Sequence, residues 1–209
     1  MDQSFLPETN KKEIIAIECP INVRQAMVFI RHGEPINNEQ DVNIPVDYTV
    51  PEVGKVHELF SGKAVRHIQT SNAISEKIGI ESNRLEWLND YDLGQYIKKD
   101  FESENNKIDH QVLSNLDDLK KGHPGAKVGN ETLDQFFNRN KSGLDRLIEH
   151  VQQKLNDDPS YKVFLVTSSG NLGFIELLLT SGGTFGDWPQ KAKAYQYLQS
   201  KCFFPDGTT

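Results

Sequence analysis

The chain has 209 residues, 36% of them apolar and 25% charged, with a formal net charge of −7 at pH 7. At about 150 residues per domain this length suits one domain with additions, and 11 Phe, 6 Tyr and 2 Trp are more aromatics than a disordered chain carries. The acidic balance lacks the overall footprint of a nucleic-acid binder, and no apolar run approaches the roughly 18 residues of a membrane span, so neither nucleic acid nor a membrane is expected as a partner. A local cationic pocket for a small anion stays compatible with that charge.

Met1-Asp2-Gln3-Ser4-Phe5 has neither the basic nor the apolar region of a signal peptide. Cys19 and Cys202 fit no disulfide framework and no zinc spacing, so a reducing, cytoplasmic setting is expected. Residues 1–25 are assigned to an N-terminal arm, polar over its first twelve positions, and 26–209 to a single α/β domain. Ala26-Met27-Val28-Phe29-Ile30 is a continuous apolar run that stops at Arg31-His32-Gly33-Glu34-Pro35, as a buried strand ending in a loop does. Ala64 to Ile78 predicts a helix with Val65, Ile68, Ala73, Ile74 and Ile78 on its apolar face and Gly79 at its C-terminal cap.

About 100–128 reads as an exposed helical insertion, with Ile108, Val112, Leu113, Leu116 and Leu119 at helical spacing. Thr132 to Leu155 is the clearest long helix, ended by Asp157-Asp158-Pro159. Lys162 to Thr167 is a second buried strand, and Leu172 to Leu179 a buried helix after the turn Ser168-Ser169-Gly170-Asn171. Strand, turn and helix occur twice with long helices between. That order predicts a three-layer α/β/α sandwich around a mostly parallel sheet.

In open α/β sheets ligands bind beyond the carboxyl ends of the strands, and Arg31-His32-Gly33-Glu34 lies at such an end. Arg presents a planar fork of donors suited to phosphate oxygens, and a neutral His presents a nitrogen nucleophile near pH 7. An apolar strand followed by Arg-His-Gly-Glu resembles the signature of the histidine phosphatase superfamily, the phosphoglycerate mutase-like fold. The resemblance implies that His32 is the nucleophile, with Arg31 and Asn38 beside the phosphate.

Ser61 to Thr70, with one extra residue between Ser61 and Arg66, is similar to the family pattern Ser-x-x-x-Arg-x-x-Gln-Thr, which carries the role of second phosphate clamp to Arg66. A competing register puts Ser75 there, and Arg66 is preferred because the next motif then follows without a gap. His67, next along the same helix, is expected to point about 100° away from Arg66. Leu88 to Tyr96 resembles the segment that carries the family's general acid, with Asp90 in the place of a Glu. Gly129-Asn130-Glu131-Thr132, with Arg139, resembles a further motif. There Glu131 is either a substrate contact or a carboxylate favoured by the helix N-terminus. His123, in Gly122-His123-Pro124-Gly125, sits on a loop that is a second candidate for substrate contact.

The last motif departs from the family. Where relatives have a second His before a Gly, this chain has Ser169 before Gly170. Ser169 and Gly170 keep hydrogen-bond donors for phosphate, but one preorganised donor at such a site is commonly worth about 10²–10³ in rate. The resemblance therefore implies a phosphomonoester hydrolase working through a phosphohistidine on His32, with catalytically impaired binding of a phosphorylated ligand, or a scaffold role, as the alternative. A small phosphorylated substrate or ligand is the expected partner, and no metal or cofactor is required, because two guanidinium groups supply the positive charge. Oligomeric state has no signal here.

Overall fold

Residues 12–36, 41–91, 118–119, 121–127, 129–180, 182–193 and 195–203 are described by a computed structural model. In chain order the elements are β1 (Glu13–Ile14), α1 (Ile21–Ala26), β2 (Met27–Arg31), β3 (Glu34–Ile36), β4 (Asp41–Asn43), β5 (Glu58–Ser61), α2 (Val65–Ile78) and β6 (Ser82–Arg84). A 3₁₀ turn at Glu86–Leu88 follows, then α3 (Leu133–Asp157), β7 (Val163–Thr167), α4 (Ser169–Leu179), β8 (Gly183–Thr184), a short helix Trp188–Lys193 and β9 (Ser200–Lys201).

The central sheet has the order β6-β5-β7-β2-β9. β6, β5, β7 and β2 run parallel, and β9 closes the β2 edge in the antiparallel sense. β2 and β7 are apolar throughout their cores because both faces of a parallel sheet are covered. Alternate residues face opposite layers. Val28, Ile30, Phe164 and Val166 pack with Leu59 and with Ile74 of α2. Met27, Phe29, Val163 and Leu165 pack on the other side with Leu144 and Leu147 of α3 and Phe174 of α4. This is the three-layer, mostly parallel architecture that the sequence predicts.

α3 starts at a reciprocal capping box. The Thr132 hydroxyl accepts from the Gln135 N–H at 3.2 Å, and the Gln135 side chain accepts from the Thr132 N–H at 2.8 Å. Its buried stripe runs Leu133, Phe136, Phe137, Asn140, Leu144, Leu147, Val151 and Leu155. Gly143 lies in that stripe because the Trp87 indole rests against its backbone, where a Cβ would overlap the ring. Gly143→Ala is expected to cost about 1–3 kcal/mol from overpacking, more than the helix propensity it gains. Urea denaturation checks this: the midpoint falls with an unchanged slope.

One stretch differs from expectation. The arm assigned to 1–25 is packed over its described part. β1 pairs with β8, the Ile17 N–H donates to the Leu178 carbonyl at 2.7 Å, and Ile14, Cys19 and Val23 join the main core. Ile14 opens the short run Ile14-Ile15-Ala16-Ile17, in which Ile15 is exposed, and Cys19 and Val23 stand among Glu18, Pro20 and Arg24, so no periodic pattern announces their burial. Between Asn43 and Glu58 the chain forms no helix. Tyr48, Val50, Val53 and Val56 instead lay an irregular cover over the α2 side of the sheet. The insertion expected at about 100–128 falls outside the described residues except for 118–119 and 121–127.

Candidate active site

The register aligns Arg31 with Thr167 and Ser61 with Val166, so β2, β7 and β5 end level and their following loops meet at one edge of the sheet. The His32 N–H continues the ladder by donating to the Thr167 carbonyl at 2.9 Å. One residue on, the Gly33 N–H donates to the Thr70 hydroxyl at 2.9 Å, which itself donates to the Arg66 carbonyl at 2.8 Å. These bonds fix the first turns of α2 against the His32 loop.

The His32 side chain is buried, and its Nδ1 lies 2.7 Å from the Gly33 carbonyl oxygen. In the neutral ring Nδ1–H is therefore the donor, and Nε2 keeps its lone pair. Burial pushes the His32 pKa down to about 4. The Gly33 carbonyl opposes that shift, and the positive charges of Arg66 and Arg31 add to it. At neutral pH His32 is an uncharged imidazole between two cations, the state a nitrogen nucleophile requires.

Arg31 is half-buried, donates to the Tyr195 carbonyl, and lies under the Tyr197 ring, 3.9 Å from its centroid. Its Nε has no protein partner. Arg66, in the first turn of α2, forms an ion pair with Asp90. Burial lowers the pKa of each guanidinium, from a value so high that both stay charged.

Asp90 follows the 3₁₀ turn on a loop held mainly by Arg139. That guanidinium donates to the carbonyls of Trp87 at 2.9 Å, Asn89 at 3.0 Å and Asp90 at 2.9 Å, and grips the Glu131 carboxylate at 2.7 and 3.1 Å. The Thr167 hydroxyl holds the Leu88 carbonyl, and the Asn171 amide holds that of Trp87. Glu131 is thus the partner of Arg139 beneath the Asp90 loop, and the helix is capped by Thr132, not by Glu131.

Ser168 caps α4, and Ser169 and Gly170 open its first turn beside the end of β2. Their backbone N–H groups belong to the helix start, where intrahelical partners are lacking. The Gly170 carbonyl accepts from the Trp188 indole at 2.7 Å. His123 lies on the turn after Asp118, whose carbonyl accepts its N–H at 3.0 Å. Asn38 lies outside the described residues.

The geometry brings together Arg31, His32, Arg66 and Asp90, and adds a residue that the sequence reading turned away. His67 is fully buried, with its ring centroid 5.3 Å from that of His32 and its Nε2 3.8 Å from Asp90 Oδ2. The buried face of α2 is His67, Thr70, Ser71 and Ile74, spaced i, i+3, i+4, i+7, whereas Val65 is exposed. Apolar residues alone point to a neighbouring face. Counting His, Thr and Ser as candidates for burial is the signal that finds the right one.

His32, His67 and Asp90 each place a ligand-type atom within 4.8 Å of the other two. By donor type this trio suits a divalent cation. The guanidinium of Arg66 already occupies Asp90, and Arg31 adds a second positive charge beside His32, so the electrostatics favour an anion.

A buried neutral histidine flanked by two arginines thus stands at the carboxyl edge of a mostly parallel sheet. The family model of the histidine phosphatase superfamily (branch 1) matches residues 52–179, more than half of the chain, and the chain belongs to that superfamily. The matched span begins after Arg31-His32-Gly33-Glu34, and the β2–β7 pairing supplies that motif to the same edge.

Among solved structures the chain is similar to two mycobacterial hydrolases, each at 18% identity. One has a TM-score of 0.51 over 78% of this chain and 82% of that one, the other 0.52 over 78% and 75%. A mycobacterial glucosyl-3-phosphoglycerate phosphatase in complex with inorganic phosphate aligns at 17% identity with a TM-score of 0.50, over 78% of this chain and 82% of that one. At such identities the likeness shows the fold. No curated protein matches the chain. Among the described residues no helix is long and apolar enough to cross a membrane.

Proposed function

We propose that the protein is a histidine-type phosphatase that hydrolyses phosphomonoesters. The observation that carries this reading is the state of His32: buried, neutral, its Nδ1 committed to the Gly33 carbonyl, and flanked by Arg31 and Arg66. His32 Nε2 attacks phosphorus and the ester P–O bond breaks. Arg31 and Arg66 take the phosphoryl oxygens, and Asp90 delivers a proton to the departing alcohol. Water then attacks the phosphohistidine, Asp90 recovers a proton, and phosphate leaves. Arg66 and Asp90 are paired in the empty site, so substrate entry draws the guanidinium onto phosphate and frees the carboxyl group to carry a proton.

Ser169 favours a second reading, a site that binds phosphorylated ligands without turning them over. Phosphate release from aryl phosphates, sugar phosphates and phosphoglycerates, measured on wild type and Ser169→His, separates the two. Wild-type release with saturation kinetics supports the phosphatase. Release seen only in Ser169→His, with wild-type binding of inorganic phosphate retained, establishes the binding protein instead.

A further inference from the structure

We propose that His67 is a second imidazole of the phosphoryl site and does the work that the imidazole missing at Ser169 would do; the proposal rests on the phosphatase reading above. The ring is fully buried, and neither Nδ1 nor Nε2 has a hydrogen-bond partner. Leaving a buried polar atom unsatisfied is unfavourable, and an apolar residue at this position would not carry that cost. Of the two, Nε2 is the one that a ligand can complete, because Nδ1 faces Gly62.

The surroundings say which ligand. One nitrogen of His32, one of His67 and an oxygen of Asp90 lie within 4.8 Å of one another, a spacing at which a single small group is within reach of all three. Arg66 precedes His67 in the chain, and both Arg66 and Arg31 act electrostatically on His32, so that group is an anion. On its Nδ1 side the His67 ring rests on Gly62, where a Cβ would overlap it. The absent side chain at Gly62 makes room for the ring and leaves Nε2 as the edge 3.8 Å from Asp90. Burial, reinforced by His32 and Arg66, holds the His67 pKa well below its usual value, so the ring enters the reaction neutral.

A neutral imidazole with its proton on Nε2 is a single donor aimed into the cluster. It donates to an equatorial phosphoryl oxygen as negative charge builds there. No bond to His67 forms or breaks, and its proton stays in place. Arg66 and His67 thus give the first turn of α2 two adjacent donors to the phosphoryl group, one charged and one neutral.

Two measurements test this. In protein labelled with ¹⁵N-histidine, inorganic phosphate is titrated while the ring nitrogens of His32 and His67 are followed by NMR, with His67→Gln assigning the signal. The expected result is a saturable shift at both rings with one midpoint. A shift at His32 alone overturns the role of His67 and leaves the phosphatase reading intact, while no shift at either ring overturns both.

Kinetics provide the second arm. His67→Leu fills the space without a donor and is expected to lower kcat about 10²–10³-fold. His67→Gln, which returns an N–H near the Nε2 position, recovers part of that loss. A merely structural role predicts that Leu, with no unpaired nitrogen, turns over like wild type, and that result would overturn the proposal. Should His67→Leu fail to fold, the Gln variant and the wild-type titration still decide.

Discussion

His32→Ala loses turnover by at least about 10⁴-fold in kcat while still binding inorganic phosphate within tenfold of wild type. The size of the first effect follows from the role of Nε2: it forms the bond to phosphorus, and no neighbouring group replaces a missing nucleophile. The small size of the second follows from where the positive charge resides. Arg31 and Arg66 remain in place, because Arg31 is fixed by the Tyr195 carbonyl and the Tyr197 ring, and Arg66 by α2. Calorimetric titration with phosphate, alongside phosphate-release kinetics, reads both quantities on one preparation. Equal losses of binding and turnover would mean that His32 builds the pocket instead of reacting in it.

Arg139→Ala is expected to destabilise the protein by about 3–5 kcal/mol, the range for removing one partner of a buried, hydrogen-bonded charge pair. The variant leaves the Glu131 carboxylate, mostly buried, without its guanidinium, and leaves three carbonyls of the 87–90 loop without their shared donor. Activity should fall as well, because the loop so released carries Asp90. Arg139→Lys keeps the charge but loses the planar fork that reaches Glu131 and three carbonyls at once, so it recovers only part of the stability. Urea denaturation checks the first claim and kcat at a temperature well below unfolding checks the second. A loss under 1 kcal/mol would show that α3, the Thr167 hydroxyl and the Asn171 amide hold the loop without Arg139.

Much of this architecture is legible in the residues. Met27 to Ile30 and Val163 to Val166 are apolar runs because both faces of the parallel sheet are covered, and such runs need no partner to be recognised. α3 declares itself by a stripe of Leu, Phe and Val at helical spacing and by Thr132 and Gln135 at its start. The motif Arg31-His32-Gly33-Glu34 is legible for a chemical reason, since nucleophile and clamp are adjacent in the chain. Arg66 is found because its place relative to Thr70 is fixed by one turn of helix.

What escaped the sequence is set by contacts between distant segments. Nothing in Arg139 announces that it will bridge Glu131 to the carbonyls of Trp87, Asn89 and Asp90. Ser200 and Lys201 form an antiparallel edge strand with no apolar pattern, because an edge strand needs only backbone pairing with Phe29 and Ile30. Ile14 and Val23 enter the core from stretches with no helical or strand periodicity. His67 is hidden from an apolar pattern because α2 turns the polar His67, Thr70 and Ser71 inward with Ile74.

On the proposed mechanism His32 carries the phosphoryl group during turnover, and that group can be trapped. Wild-type protein is mixed with a phosphomonoester that it hydrolyses, quenched in alkali within the first turnovers, and digested for peptide mass spectrometry. The expected result is one added phosphoryl group on the peptide containing Arg31-His32-Gly33, stable to base, lost in acid, and absent from His32→Ala. Full turnover with His32 unmodified at every quench time, or a phosphoryl group found on Ser169 or His67 instead, would contradict it.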